Sequence, residues 1–193
     1  WKFDATELHD AWDCVDQLQW IQWPGAGVDA VLCPFLVESD IELTNMRGVF
    51  DRAIAEYVLG LILAFAKDLP ETYQAQKEQR WANRLTERVE GCQVLVVGVG
   101  GIGRAIGRML GAVGCRVHGV GRSARSSDSD FAAIYSSEDF DQGLADADYV
   151  VVAAPLTDKT RGLFCAKQFT ATKKSARFIN VDRKSTRLNS SHV

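Results

Sequence analysis

No stretch of this sequence is apolar for long enough to cross a bilayer. The longest such run, residues 57–66, falls well short of the roughly 20 residues that a spanning helix needs. No signal-peptide pattern opens the chain. Cysteine is sparse: Cys14, Cys33, Cys92, Cys115 and Cys165 are odd in number and include no C-x-x-C pair. That spacing indicates neither a disulfide framework nor a zinc site, and reduced thiols in a cytoplasmic protein are the expectation. Basic residues form no block that tracks a phosphate backbone, and a formal net charge of −3 argues against a nucleic-acid partner. Histidine occurs only at His9, His118 and His192. The first residue is Trp rather than Met, so the sequence is expected to open inside a longer reading frame.

What is present is ordinary globular composition, 47% hydrophobic and 24% charged over 193 residues, enough for one good core. The chain is organised around residues 93–113. Residues 94–97 are a short apolar run of the kind that forms a strand buried on both faces, and they lead directly into Gly98-x-Gly100-x-x-Gly103. Ile102, Ile106, Met109 and Val113 then recur at helical spacing. A glycine pattern alone is weak, but strand, glycine turn and amphipathic helix in succession are what a dinucleotide-binding turn requires. Gly98 is expected to make the tight turn, Gly100 to let the backbone approach a pyrophosphate, and Gly103 to let helix pack close to strand.

Along the rest of the chain, residues 18–23 read as a strand that delivers a loop, Pro24-Gly25-Ala26-Gly27-Val28-Asp29. Amides at Ala26 and Gly27 suit a small carboxylate, although an ordinary turn fits the local residues equally well. Residues 53–67 are apolar on nearly every side, with Glu56 as the one interior charge, and predict a helix buried all round between domains or subunits. Pro70 marks a new helical start. Trp81 stands alone in a polar segment.

Residues 116–120 read as the second strand of the nucleotide-binding unit. Its end is where the ribose is read: an acidic residue accepts from the 2′-OH of NAD, whereas arginine accommodates a 2′-phosphate. No acidic residue occurs between Gly91 and Ser127; Arg122, Ser123 and Arg125 stand there instead. These residues predict NADP(H), with NAD as the alternative cofactor. Residues 137–139 resemble a helix N-cap with first-turn acids, residues 149–153 another short strand, and residues 164–174 and 177–181 a further helix and strand. The alternation predicts a doubly wound α/β fold with a parallel sheet.

With these pieces in place, the chain resembles the D-isomer-specific 2-hydroxyacid dehydrogenase family. The matches run in order through Trp20-Ile21-Gln22, Ala26-Gly27-Val28-Asp29, Leu43-Thr44-Asn45-x-Arg47-Gly48, Ala55-Glu56-Tyr57 and Trp81. They continue through the Gly98–Gly103 turn, Ala147-Asp148-Tyr149-Val150-Val151, Pro155-Leu156-Thr157 with Thr160, and Ile179-Asn180-Val181. The resemblance implies a Rossmann-like NAD(P)-binding domain over residues 45–181 and a remnant of a flavodoxin-like substrate domain over residues 1–44. It implies reduction of a small 2-keto acid, glyoxylate or hydroxypyruvate among them, by a subunit that usually dimerises. It also implies that Ala26 and Gly27 bind the substrate carboxylate, that Gly101 and Ile102 amides meet the pyrophosphate, and that Ala154 and Pro155 lie along the cofactor.

The family's chemistry further requires an arginine that orients the keto acid and a histidine proton donor paired with a carboxylate. Arg183 falls in the register of that arginine, but no histidine here stands in a credible position. Residues 182–192 resemble a translated sequencing adapter rather than the family's continuation, so the chain is expected to be an inactive fragment with a non-native tail at 182–193. A rival expectation is a nucleotide-sensing regulator built on the same fold.

Overall fold

The computed structural model describes residues 5–28, 30–154, 160 and 162–181. The chain divides into two compact units, Trp1–Phe50 and Asp51–Val193.

In the first unit, helix α1 (Ala5–Asp10) and a short 3-10 turn at Trp12–Cys14 precede strand β1 (Trp20–Trp23). Helix α2 (Pro34–Glu38) then leads to β2 (Glu42–Asn45), which pairs with β1 in parallel, Trp20 opposite Glu42. Leu8, Val31, Cys33 and Leu36 form its small core, with Ile21, Trp23 and Leu43 packed against them.

The second unit opens with two helices, α3 (Asp51–Ala66) and α4 (Leu69–Lys77). Asp68 separates them in a left-handed conformation (φ 48°), and Pro70 sits in the first turn of α4, where its missing N–H costs nothing. Five parallel strands follow: β3 (Gln93–Val97), β4 (Arg116–Gly121), β5 (Ile134–Ser136), β6 (Tyr149–Val152) and β7 (Arg177–Asn180). Their spatial order is β5-β4-β3-β6-β7. The crossovers carry α5 (Gly101–Ala112) between β3 and β4, α6 (Asp141–Asp146) between β5 and β6, and α7 (Ala166–Ala171) between β6 and β7.

Strand periodicity explains why both faces are covered. Val94, Val96, Val117, Tyr149, Val151 and Ile179 point to one face, where Ile106 and Leu110 of α5 and Val58 and Ile62 of α3 close over them. Leu95, Val97, Val120, Val150 and Val152 point to the other, under Leu144 of α6, Phe140 and Phe164. This is the doubly wound parallel sheet that the alternation predicts.

Two local expectations change, and one strand is added. The helix at 53–67 forms, but only Ala55, Val58, Ile62 and Ala66 are buried, whereas Tyr57, Leu63 and Phe65 are exposed in this chain. Packing against α5 uses one stripe of the helix and leaves the rest uncovered. Residues 137–139 are a turn rather than an N-cap: the Glu138 amide bonds the Ser136 hydroxyl, and α6 starts at Asp141. Strand β5 has no counterpart in the sequence reading, because three residues carry too little periodicity to register.

The tightest packing in the sheet follows from glycine. A Cβ on Gly103 would overlap the Gly98 carbonyl, so α5 can start this close to β3 only without a side chain there. Gly111, near the other end of the same helix, has open space around it. Gly103→Ala is therefore expected to destabilise the domain by about 1–3 kcal/mol through overpacking. Gly111→Ala should stabilise it by about 0.4–1 kcal/mol through the unfolded chain's lost freedom. Urea denaturation of both variants beside the wild type checks this pair of opposite signs.

Candidate functional site

The strand order reverses between β3 and β6, since α5 carries the chain to one side of β3 while α7 carries it to the far side of β6. In an open parallel sheet the crevice beyond the carboxyl ends of two such strands is where ligands bind. Gly98 follows β3 with φ +108°, which a side-chain-bearing residue rarely adopts. A Cβ there would lie 2.7 Å from the Ala153 carbonyl oxygen and from the Ala154 nitrogen and Cα, so the two loops meet backbone to backbone. Ala154 is buried at this junction, and Pro155 lies outside the described residues.

Gly100 is the N-cap of α5, with no side-chain capping bond and open space where a Cβ would stand. The first amides of the helix, at Gly101, Ile102 and Gly103, precede the first intrahelical bond, which Arg104 makes to the Gly100 carbonyl at 2.9 Å. Approachable backbone, uncapped N–H groups and the positive end of a 12-residue helix suit a pyrophosphate. One feature escapes sequence reading: the Asp51 carboxylate, from the first turn of α3, lies where a side chain on Gly101 would go. It places a negative charge at the edge of these amides.

Strand β4 delivers the ribose-reading end. The Ser137 amide bonds the Gly121 carbonyl at 2.8 Å, and Arg125 exchanges two 2.8 Å backbone bonds with Ile134. Between these anchors Arg122 and Ser123 are exposed, and Arg122 pairs with no other described residue. Arg125 is engaged: its guanidinium lies 3.3 Å from Asp128. Asp128 in turn takes a bidentate pair of bonds from Arg104 at 2.8 and 3.1 Å, and Arg104 also reaches Asp130 at 2.8 Å. The Arg104 fork, then the Asp130 amide, hold the Asp128 carboxyl down at about 2. The same two carboxylates raise the Arg104 guanidinium above its ordinary value.

In the first unit, the loop after β1 is held by its carbonyls. Asn45 donates to the Ala26 oxygen at 2.7 Å, Trp23 donates its indole N–H to the Gly27 oxygen at 2.8 Å, and the Met46 amide bonds the Gly25 oxygen at 3.2 Å. The amides of Ala26 and Gly27 have no partner among the described residues. Trp23 and Asn45 thus organise the loop, a role their identities alone do not reveal. His118 is in mid-strand against Tyr135, with ring centroids 5.7 Å apart, and burial, then Arg116, lowers its pKa. His9 packs on Phe35 in the first unit. Arg183 lies outside the described residues.

Sheet order, glycine turn and open helix terminus together define a dinucleotide-binding domain of the doubly wound class. The chain belongs to the D-isomer specific 2-hydroxyacid dehydrogenase family, whose NAD binding domain matches residues 59–186. It is 32% identical over 164 residues to a glyoxylate/hydroxypyruvate reductase B from Salmonella newport, covering 81% of this chain and 50% of that protein. Among solved structures, it matches a D-isomer specific 2-hydroxyacid dehydrogenase family protein from Aeromonas salmonicida with a TM-score of 0.85 and 32% identity. That alignment covers 96% of this chain and 59% of the other. A D-isomer specific 2-hydroxyacid dehydrogenase from Xanthobacter autotrophicus, solved with NADPH and MES, gives a TM-score of 0.75 at 28% identity, covering 96% and 57%. The chain spans about half the length of the curated relatives it matches.

The depressed Asp128 carboxyl makes a pH prediction. Its folded pKa, about 2, lies below its ordinary 3.8, so its contribution to stability is complete above about pH 4 and is lost as pH falls towards 2. Asp128→Asn should therefore be less stable than the wild type at neutral pH, with the gap narrowing between about pH 4 and pH 2. Thermal melts across that window check it, and a constant gap would rule the ion pair out as its source.

Proposed function

We propose that the whole protein is an NADPH-dependent reductase of a small 2-keto acid, of the glyoxylate or hydroxypyruvate class, that forms the D-2-hydroxy acid. The observation that carries this reading is the end of β4, where Arg122 and Ser123 stand exposed and the sequence holds no acidic residue between Gly91 and Ser127. A guanidinium and a hydroxyl offer charge-assisted bonds to a 2′-phosphate, which NAD lacks. Similarity to the Salmonella glyoxylate/hydroxypyruvate reductase and to the Xanthobacter dehydrogenase solved with NADPH supports the same substrate class and cofactor.

The crevice fits the cofactor: Gly98 and Gly103 admit no side chain, and Gly100 leaves its backbone open to approach. In this reading residues 45–181 hold the dinucleotide and residues 1–44 belong to the substrate domain. Amides of Gly101 and Ile102 grip the pyrophosphate, while Arg122 and Ser123 grip the 2′-phosphate. Ala154 and Pro155 lie along the cofactor, and Arg125 belongs to the same loop as Arg122. The bound cofactor supplies a hydride. The chain's own part is binding: the free amides of Ala26 and Gly27 hold the substrate carboxylate, while Arg183, although in the register of the orienting arginine, falls in the expected non-native tail and takes no part. His118 has no part in this reading: it is a half-buried mid-strand residue packed on Tyr135, and burial, then Arg116, lower its pKa.

Exposed Tyr57, Leu63 and Phe65 on α3, with Trp81 and Leu85 beyond α4, form the apolar surface through which we take the cytoplasmic protein to dimerise.

Cofactor binding rather than turnover is the direct test. A hydrogen bond to a charged group contributes about 1.5–3 kcal/mol, so Arg122→Ala should weaken NADPH binding about ten- to a hundredfold and leave NADH nearly unchanged. Solvent exposure and salt push the effect towards the lower end. Isothermal titration with both cofactors decides it, and equal losses with the two would sink the assignment.

A further inference from the structure

The ion-pair network behind the ribose loop has no task in the reading above, yet its position gives it one. Two backbone anchors, at Gly121 and Arg125, leave only Arg122, Ser123 and Ala124 between them. The second anchor continues into side chains: Arg125 to Asp128, and Asp128 by a bidentate pair to Arg104. Arg104 belongs to α5, the helix whose first amides form the pyrophosphate site, so one carboxylate joins the two phosphate-reading segments. Asp130 braces the arrangement, accepting from Arg104 at 2.8 Å and Arg108 at 3.2 Å while its own amide bonds Asp128 at 3.1 Å.

Surface ion pairs usually contribute little, but here the Asp128 and Asp130 side chains are only 7% and 8% exposed. The arginines that cover these carboxylates are also their hydrogen-bond partners, so removing one partner leaves the other without its bond. The Arg104 guanidinium also lies 6.0 Å from the Phe131 ring centroid, a further restraint on its position.

We propose that Asp128 is a positioning residue for cofactor selection: it ties the 122–125 loop to α5 and so holds Arg122 at a fixed place relative to the glycine turn. Arg125 is then an anchor of the loop rather than a ligand of the cofactor. This inference rests on the NADPH reading. A loop held before the ligand arrives loses less freedom on binding, and only the cofactor that uses the loop gains from that.

The test is titration of the chain with NADPH and NADH, with NADH binding as the check that the crevice is intact. Asp128→Asn is expected to weaken NADPH binding about tenfold and NADH less than about twofold, within the range of coupling between neighbouring charged groups. Asp128→Glu should recover part of the loss. Arg104→Lys keeps the charge but not the two-pronged bond, and gives a second, milder variant with the same expected selectivity. Equal weakening of both cofactors overturns the proposal. So does tighter NADPH binding, which would mean that Asp128 withholds Arg125 from the phosphate. Arg122→Ala, run in parallel, separates the two claims. If it leaves the NADPH-to-NADH ratio intact, the NADPH reading itself fails. If it collapses the ratio while Asp128→Asn does not, only the positioning role fails.

Discussion

The second unit depends on one steric constraint, the closeness of α5 to β3. Gly103 sits against the Gly98 carbonyl at a distance that no Cβ survives, and Gly98 adopts a φ reserved in practice for glycine. From that approach follow the short turn, the aim of the first α5 amides and the meeting of Gly98 with the backbone of Ala153 and Ala154. The apolar strands supply the stability of the sheet, but they do not fix where its crevice lies. The glycines do, and they do so through excluded volume rather than attraction.

This division explains what was legible in the sequence. Strands β3, β4, β6 and β7 are short apolar runs in a chain that alternates them with helices, and the glycine spacing is itself a steric specification. The turn, its helix and the doubly wound class could therefore be read directly. Features set by contacts between distant segments could not. The carboxylate of Asp51 at the edge of the pyrophosphate amides arrives from a helix fifty residues earlier in the chain. Nothing in its neighbours Phe50 and Arg52 announces it. The uneven burial of α3 is of the same kind: an apolar composition says that a helix has partners, whereas only packing says which stripe meets them.

Arg125 shows the limit most clearly. In the sequence Arg122 and Arg125 are equivalent cations beside a strand end. The chain beyond them turns back, pairs Arg125 with Ile134 and brings Asp128 against its guanidinium. Both arginines stay exposed, but Arg125 has a carboxylate partner and Arg122 has none among the described residues. Local composition counts charges, but the fold decides which of them are already neutralised.

The loop of Gly25, Ala26 and Gly27 carries a consequence of a different sort. Its carbonyls are held by Trp23, Asn45 and the Met46 amide, and the donors it leaves free belong to the backbone. In the proposed reading this loop recognises a carboxylate through peptide N–H groups, and such a surface presents no side chain for truncation to remove. In a scan of single substitutions the residue that offers the amide, Ala26, would look nearly silent. The losses would appear at the indole and the carboxamide that hold the loop's shape, so a map of sensitive positions would outline the scaffold around the site and leave the site itself blank.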